Sequence, residues 1–114
     1  MTFSEDYRVQ YTYSSRNDMR GMKQYILRKF CYVELGENFT RKMKKVAREL
    51  ALSPMGHKDT GFIYRGYIVY VKSRESYLFF YIVNHRTKIV SVLRIMQDGM
   101  NWKDKLENWL ERNK

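Results

Sequence analysis

The sequence predicts an α+β fold: an antiparallel sheet, built from an N-terminal strand and a three-stranded meander, packed against an N-terminal helical hairpin and closed by a short C-terminal helix. Two observations carry this. From Phe62 to Met96, three runs dense in Ile, Val, Tyr and Phe are separated by two short polar breaks, Ser73–Ser76 and Asn84–Thr87. That is the composition and spacing of strands joined by hairpin turns. Upstream, apolar residues recur every three or four positions instead, which is the period of a helix buried on one side.

Tyr7 to Tyr13 alternates Tyr, Val, Tyr and Tyr against Arg, Gln and Thr, so it reads as a strand with one buried face. Ser14-Ser15 ends it, with Ser15 and Asp18 loosely forming a capping box. Met19, Met22, Ile26 and Phe30 then give a first helix from about Arg16 to Tyr32, and Gly21 inside it costs some stability. Val33 to Gly36 is read as a short connection. Phe39, Met43, Val46, Ala47 and Leu50 form the stripe of a second helix, with Arg41, Lys42, Lys44, Lys45 and Arg48 opposite. Ser53-Pro54 stops it. So short a link makes the two helices an antiparallel hairpin. Met55 to Gly61 reads as a polar loop.

The meander is expected as strands from Phe62 to Lys72, Tyr77 to Val83 and Lys88 to Met96. The middle run is apolar at successive positions, which suits a central strand covered on both faces. After a turn at Gln97–Met100, Asn101 and Asp104 are suited to open a last helix, and Trp102, Leu106, Trp109 and Leu110 lie along one side of it.

With 114 residues and no linker or repeat, one domain is expected. An apolar content of 44% gives a core without disulfides, and the single Cys31 has no internal partner. The chain carries no apolar run of membrane-spanning length, Met1–Asp6 does not read as a targeting segment, and a cytosolic protein is expected. Twenty-two Lys and Arg against twelve Asp and Glu give a net charge of +10, which suits anionic partners such as nucleic acid or an acidic protein. A charge that serves solubility alone is the other reading. His57, His85 and Cys31 show no metal-ligand spacing, so neither metal nor cofactor is expected.

Four stretches in order resemble the RelE/ParE superfamily of bacterial type II toxins. They are Tyr7–Ser15 (YRVQYTYSS), Gln24–Phe30 with Glu37–His57, Ile63–Val83 (IYRGYIVYVKSRESYLFFYIV) and Val92–Trp102 (VLRIMQDGMNW). The resemblance implies a toxin neutralised by a cognate antitoxin, an acidic one complementing the charge. RelE-like members are ribosome-dependent mRNA interferases; ParE-like members inhibit DNA gyrase by binding. RelE-like chains carry an Arg in the central strand where this one has Leu78, and they end in a pattern with a functional Tyr or His that is absent here. Both departures favour the ParE branch. Gln97 stands where ParE-like endings have His, the one hint that toxicity has been lost.

The resemblance therefore implies no catalytic residue. Contacts to the target or antitoxin are expected from Arg94, Met96, Gln97, Trp102 and Trp109, Trp being common at interface centres. A structural ion pair for Arg94 and simple packing for the two Trp are the competing readings. As an mRNA endoribonuclease instead, acting on the ribosome, the chain would rely on Arg65, Lys72, Tyr81 and Arg94, lacking an identifiable acid or base. The Arg41–Arg48 face reads as solvated, as a seat for an acidic antitoxin segment, or as a nucleic-acid contact.

Overall fold

The computed structural model describes residues 6–114. Their elements are β1 (Arg8–Tyr11), α1 (Tyr13–Phe30), α2 (Val33–Leu52), β2 (Lys58–Tyr64), β3 (Tyr67–Arg74), β4 (Tyr77–Asn84), β5 (Ile89–Gln97) and α3 (Trp102–Arg112). The class is α+β, with the helical hairpin and the short final helix where they were expected. Residues 1–5, within the Met1–Asp6 stretch read as no targeting segment, fall outside this description.

The strands form one five-stranded sheet in the order β1-β5-β4-β3-β2. From β2 to β5 it is an antiparallel meander. β1, however, runs parallel to β5, with Val9 opposite Val90 and Tyr11 opposite Val92. The sheet is therefore mixed, which corrects the antiparallel expectation. A tight turn forces its two strands antiparallel, but β1 and β5 are far apart in the chain and no turn sets their relative direction.

The run from Phe62 to Lys72 is two strands, not one. Arg65 and Gly66 both take positive φ, 52° and 86°, as in the two-residue turns that match strand twist. Tyr64 and Tyr67 pair across this turn. Part of the expected Met55–Gly61 loop joins β2 through an irregular stretch between Asp59 and Ile63, where Gly61 has φ 86° and Thr60 Oγ1 donates to the Val69 carbonyl at 2.7 Å.

The helices also begin earlier than the apolar stripes suggest. Thr12, not Ser15, caps α1, its Oγ1 accepting from the Ser15 N–H at 3.1 Å. Only Cys31 and Tyr32 separate the two helices. Cys31 sits at φ 58°, and its N–H closes α1 on the Leu27 carbonyl at 3.0 Å. Gly36 lets the helices meet there, since a Cβ would lie 2.9 Å from Leu27 Cδ2.

Two apolar layers enclose the sheet. On one face Phe39, Met43, Val46 and Leu50 of α2 pack on Phe79, Tyr81, Val90 and Val92, with Met19, Met22 and Ile26 of α1 alongside. On the other, Leu106, Trp109 and Leu110 of α3 pack on Leu78, Phe80, Leu93 and Met96. β4 is thus covered on both faces, which explains its unbroken apolar run.

Candidate functional site

The register of β5 slips between Phe80 and Tyr81 of its partner: Phe80 faces Arg94, but Tyr81 faces Val92, leaving Leu93 as an inserted residue. Such a bulge re-aims side chains. Leu93 points into the α3 layer while Val92 and Ile95 enter the hairpin layer. Arg94 emerges at the rim beside α1. There its Nε and Nη2 donate to the Asp18 carboxylate at 2.8 and 2.9 Å, and the same carboxylate accepts the Ile95 N–H at 2.9 Å. The forked geometry is the one a guanidinium makes with a carboxylate. The structural reading of Arg94 is the one realised, and Asp18 serves this tie instead of a capping box.

Beyond Arg94 the end of β5 opens into a groove. Its first part, of 360 Å³, lies between α1 and the start of α3 and is lined by Asp18, Tyr25, Arg94, Gln97, Met100 and Lys105. Its second, of 680 Å³, continues under the tip of the hairpin past Phe30, Leu35, Phe39, Lys42 and Tyr77. Met22, Tyr25 and Gln97 line both parts, so the groove is continuous. Tyr25, Phe30 and Leu35 are 48%, 46% and 36% exposed along it. Apolar side chains left this open in one row mark a docking surface. The charged lining is Lys29, Lys42, Arg94 and Lys105 against Asp18; Arg94 pairs with Asp18 and Lys42 with Glu75, leaving Lys29 and Lys105 without an ion-pair partner among the described residues. An apolar floor with cationic walls suits an amphipathic acidic segment.

The residues singled out from the sequence divide between surface and core. Gln97 is exposed and lines both parts of the groove, and Arg94 lines one. Met96 and Trp109 are 2% and 5% exposed; both are core side chains, and Trp109 Nε1 donates to Ser14 Oγ at 2.8 Å. Met96 also lines the first part of the groove, and Trp109 lies in the α3 layer. Trp102 is half-buried, its ring 5.3 Å from that of Phe80.

The ribonuclease set is not assembled. Arg65 lies at the β2–β3 turn over the Tyr64 ring, with Nη2 3.4 Å from the Asn113 carbonyl at the end of α3. Lys72 and Arg74 converge on Glu49 of α2, at 3.3 and 2.9 Å. Tyr81 is fully buried and donates its hydroxyl to the Pro54 carbonyl at 2.7 Å. Burial, with Tyr70 adding to it, pushes that hydroxyl far above the ordinary phenol range, so it stays protonated. His57 lies near this corner, its ring 6.1 Å from Tyr81. Burial first, and then the charge of Lys72, lower its pKa. His85 is a turn residue whose Nδ1 is 2.7 Å from the Tyr7 hydroxyl. Among the described residues, no three His, Cys, Asp or Glu side chains converge as metal ligands. None of the described helices is long and apolar enough to cross a membrane.

The groove-lining aromatics were not identified from the sequence. Phe30 fits the buried stripe of α1 by spacing, yet as the last residue of that helix it is exposed at the hairpin tip. The available signal was a surplus: Tyr25, Phe30, Tyr32, Val33 and Leu35 put more apolar residues at the hairpin tip than two helices need to pack.

The chain superposes on the toxin–antitoxin complex RelBE2 from Mycobacterium tuberculosis with a TM-score of 0.61, at 15% identity, covering 86% of this chain and 98% of that one. It superposes on the chromosomal ParDE toxin–antitoxin system of P. aeruginosa with the same TM-score, at 13% identity, covering 83% and 99%. The fold is that of the RelE/ParE toxins. No protein-family model and no curated protein matches the sequence. At these identities the RelE/ParE likeness is one of architecture: a helical hairpin on one face of a sheet whose last strand leads into the candidate groove.

Proposed function

We propose that the chain is the toxin of a type II toxin–antitoxin pair, of the ParE-like kind, inhibiting DNA gyrase by binding and held inactive by an acidic antitoxin segment lying in the groove along α1. The RelE/ParE fold supports the toxin reading. The observation that carries the choice of branch is at Leu78. The position where RelE-like toxins place an Arg is 8% exposed here, packed beneath α3 with Phe80 and Leu106. A cation cannot be held there without a partner. Together with the buried, hydrogen-bonded Tyr81 and the separation of Arg65 from Lys72, this favours action by contact over RNA cleavage. The antitoxin's acidity is inferred from the cationic walls, and its amphipathic form from the apolar floor. The accessible contact residues proposed are Gln97 and Trp102, joined by Tyr25 and Met100, while Arg94 acts through its tie to Asp18.

Induced expression in a bacterial host tests this. Growth arrest with a DNA-damage response and continued protein synthesis is expected. Immediate arrest of protein synthesis without that response would place the chain in the RelE-like branch.

A further inference from the structure

The outer face of the helical hairpin, on the side away from the sheet, gathers seven Lys and Arg side chains. On α1, Arg16, Arg20 and Lys23 follow spacings of four and three, and so form one ridge. On α2, Arg41, Lys44, Lys45 and Arg48 form another, opposite the buried Phe39, Met43, Val46 and Leu50. A shallow cleft of 240 Å³ separates the ridges, with Arg20 and Lys23 on one bank and Thr40 and Met43 on the other. Each ridge is about 10 Å long at 1.5 Å per residue.

Two properties set this face apart from an ordinary solvated helix surface. First, its acids sit at one end: Glu34 and Glu37 precede Arg41 near the tip of the hairpin, and none lies on that side between Arg41 and Arg48. Asp18 is bound to Arg94, and Glu49 is turned towards Lys72 and Arg74. Among the described residues, no carboxylate lies within ion-pair distance of any of the seven cations. Clustered like charge opposes folding unless a counter-charge arrives. Second, its apolar surface is confined to the floor of that cleft, where Phe39 and Met43 are buried and Met19 half-buried. The exposed large apolar residues of the hairpin are Tyr25 to Leu35 at its tip and Tyr13 and Leu52 at its other end, with none between Arg41 and Arg48. Protein interfaces centre on such apolar anchors, and a helix that inserts into a lipid surface uses them. A uniformly charged polyanion does not.

We infer that this face binds the phosphate backbone of double-helical nucleic acid, without regard to sequence. It is separate from the groove, and the inference holds whether or not the toxin reading does.

The test is fluorescence anisotropy of the purified full chain with a labelled DNA duplex over a range of salt. With most of the seven cations engaged, log K is expected to fall against log salt with a slope of about −5, roughly a thousandfold between 50 and 200 mM. The variant Arg41→Gln/Lys44→Gln/Lys45→Gln/Arg48→Gln should flatten that slope by about 3. A control, Arg8→Gln/Arg86→Gln/Lys103→Gln/Arg112→Gln, removes the same charge elsewhere and should keep most of the binding. Thermal melts establish that both fold. If the control weakens binding as much as the hairpin variant, only net charge is at work and the site is overturned. Tighter binding to anionic phospholipid vesicles than to either duplex would overturn it too. An RNA duplex run in parallel identifies which double helix the face prefers, and tighter binding to either duplex than to vesicles supports the inference.

Discussion

Replacing Asp18 with Ala should loosen the join between α1 and the last strand more than any other single surface change. Its carboxylate accepts three hydrogen bonds, two from the Arg94 guanidinium and one from the Ile95 backbone, all between 2.8 and 2.9 Å. The Arg94 and Asp18 side chains are 22% and 15% exposed, so the pair lies between a solvated surface bridge and a buried one. After discounting for the water that still reaches it, removing one partner should cost about 2–3 kcal/mol. For a chain of this length that lowers the melting temperature by roughly 8–12 °C. Arg94→Ala should cost a similar amount, and the double variant little more than either, a coupling of about 2 kcal/mol in a denaturation cycle. Arg94→Lys should recover only part, because an ammonium cannot span both carboxylate oxygens. Asp18→Ala should reduce toxicity about as much as Arg94→Ala, since Arg94 acts through the geometry of β5. Additive losses, with a coupling below about 0.5 kcal/mol, would refute the tie. So would full toxicity in Asp18→Ala beside none in Arg94→Ala, which would make Arg94 a direct contact.

Other outcomes follow from the same structure. Leu106→Ala should destabilise the protein by about 2–5 kcal/mol in urea denaturation, since Leu106 is fully buried between α3 and the sheet. Tyr25→Glu with Leu35→Glu should leave the melting temperature within a few degrees, both residues being exposed, but cut the antitoxin's affinity at least tenfold in a pull-down or titration. His57 should titrate below the ordinary imidazole value when followed by NMR. A base whose folded-state pKa is depressed releases its proton more readily on folding. Its contribution to stability is therefore present above the unfolded pKa and lost as pH falls through the folded one, and His57→Gln should remove that part of the acid slope.

The sequence displayed its sheet more clearly than its site. The apolar run of β4 and the stripe of α2 were legible because burial on two faces or one writes a direct pattern. The Arg65-Gly66 turn was not, since its flanks are as β-rich as the strands and the Asn-Gly signal is missing. The direction of β1 was not legible either, because no local rule sets it. For the site, Gln97 and Arg94 were legible through the resemblance at the end of β5. Met96 and Trp109 pack in the core, and the sequence could not show this because an aromatic or Met on a short helix or strand end fits a core and an interface equally well. The groove forms where the hairpin tip meets the end of β5, and its trace in the sequence is only the surplus of apolar residues from Tyr25 to Leu35.

The measurement that bears most directly on the proposed action sets two purified reactions side by side: DNA supercoiling by gyrase, and cleavage of message on translating ribosomes, at matched doses of the protein. A ParE-like toxin blocks supercoiling and leaves the message intact, and Tyr81→Phe, which removes only a buried hydroxyl, does not relieve the block. Codon-phased cuts with normal supercoiling would contradict this reading and return attention to Arg65, Lys72 and Arg94 as RNA contacts.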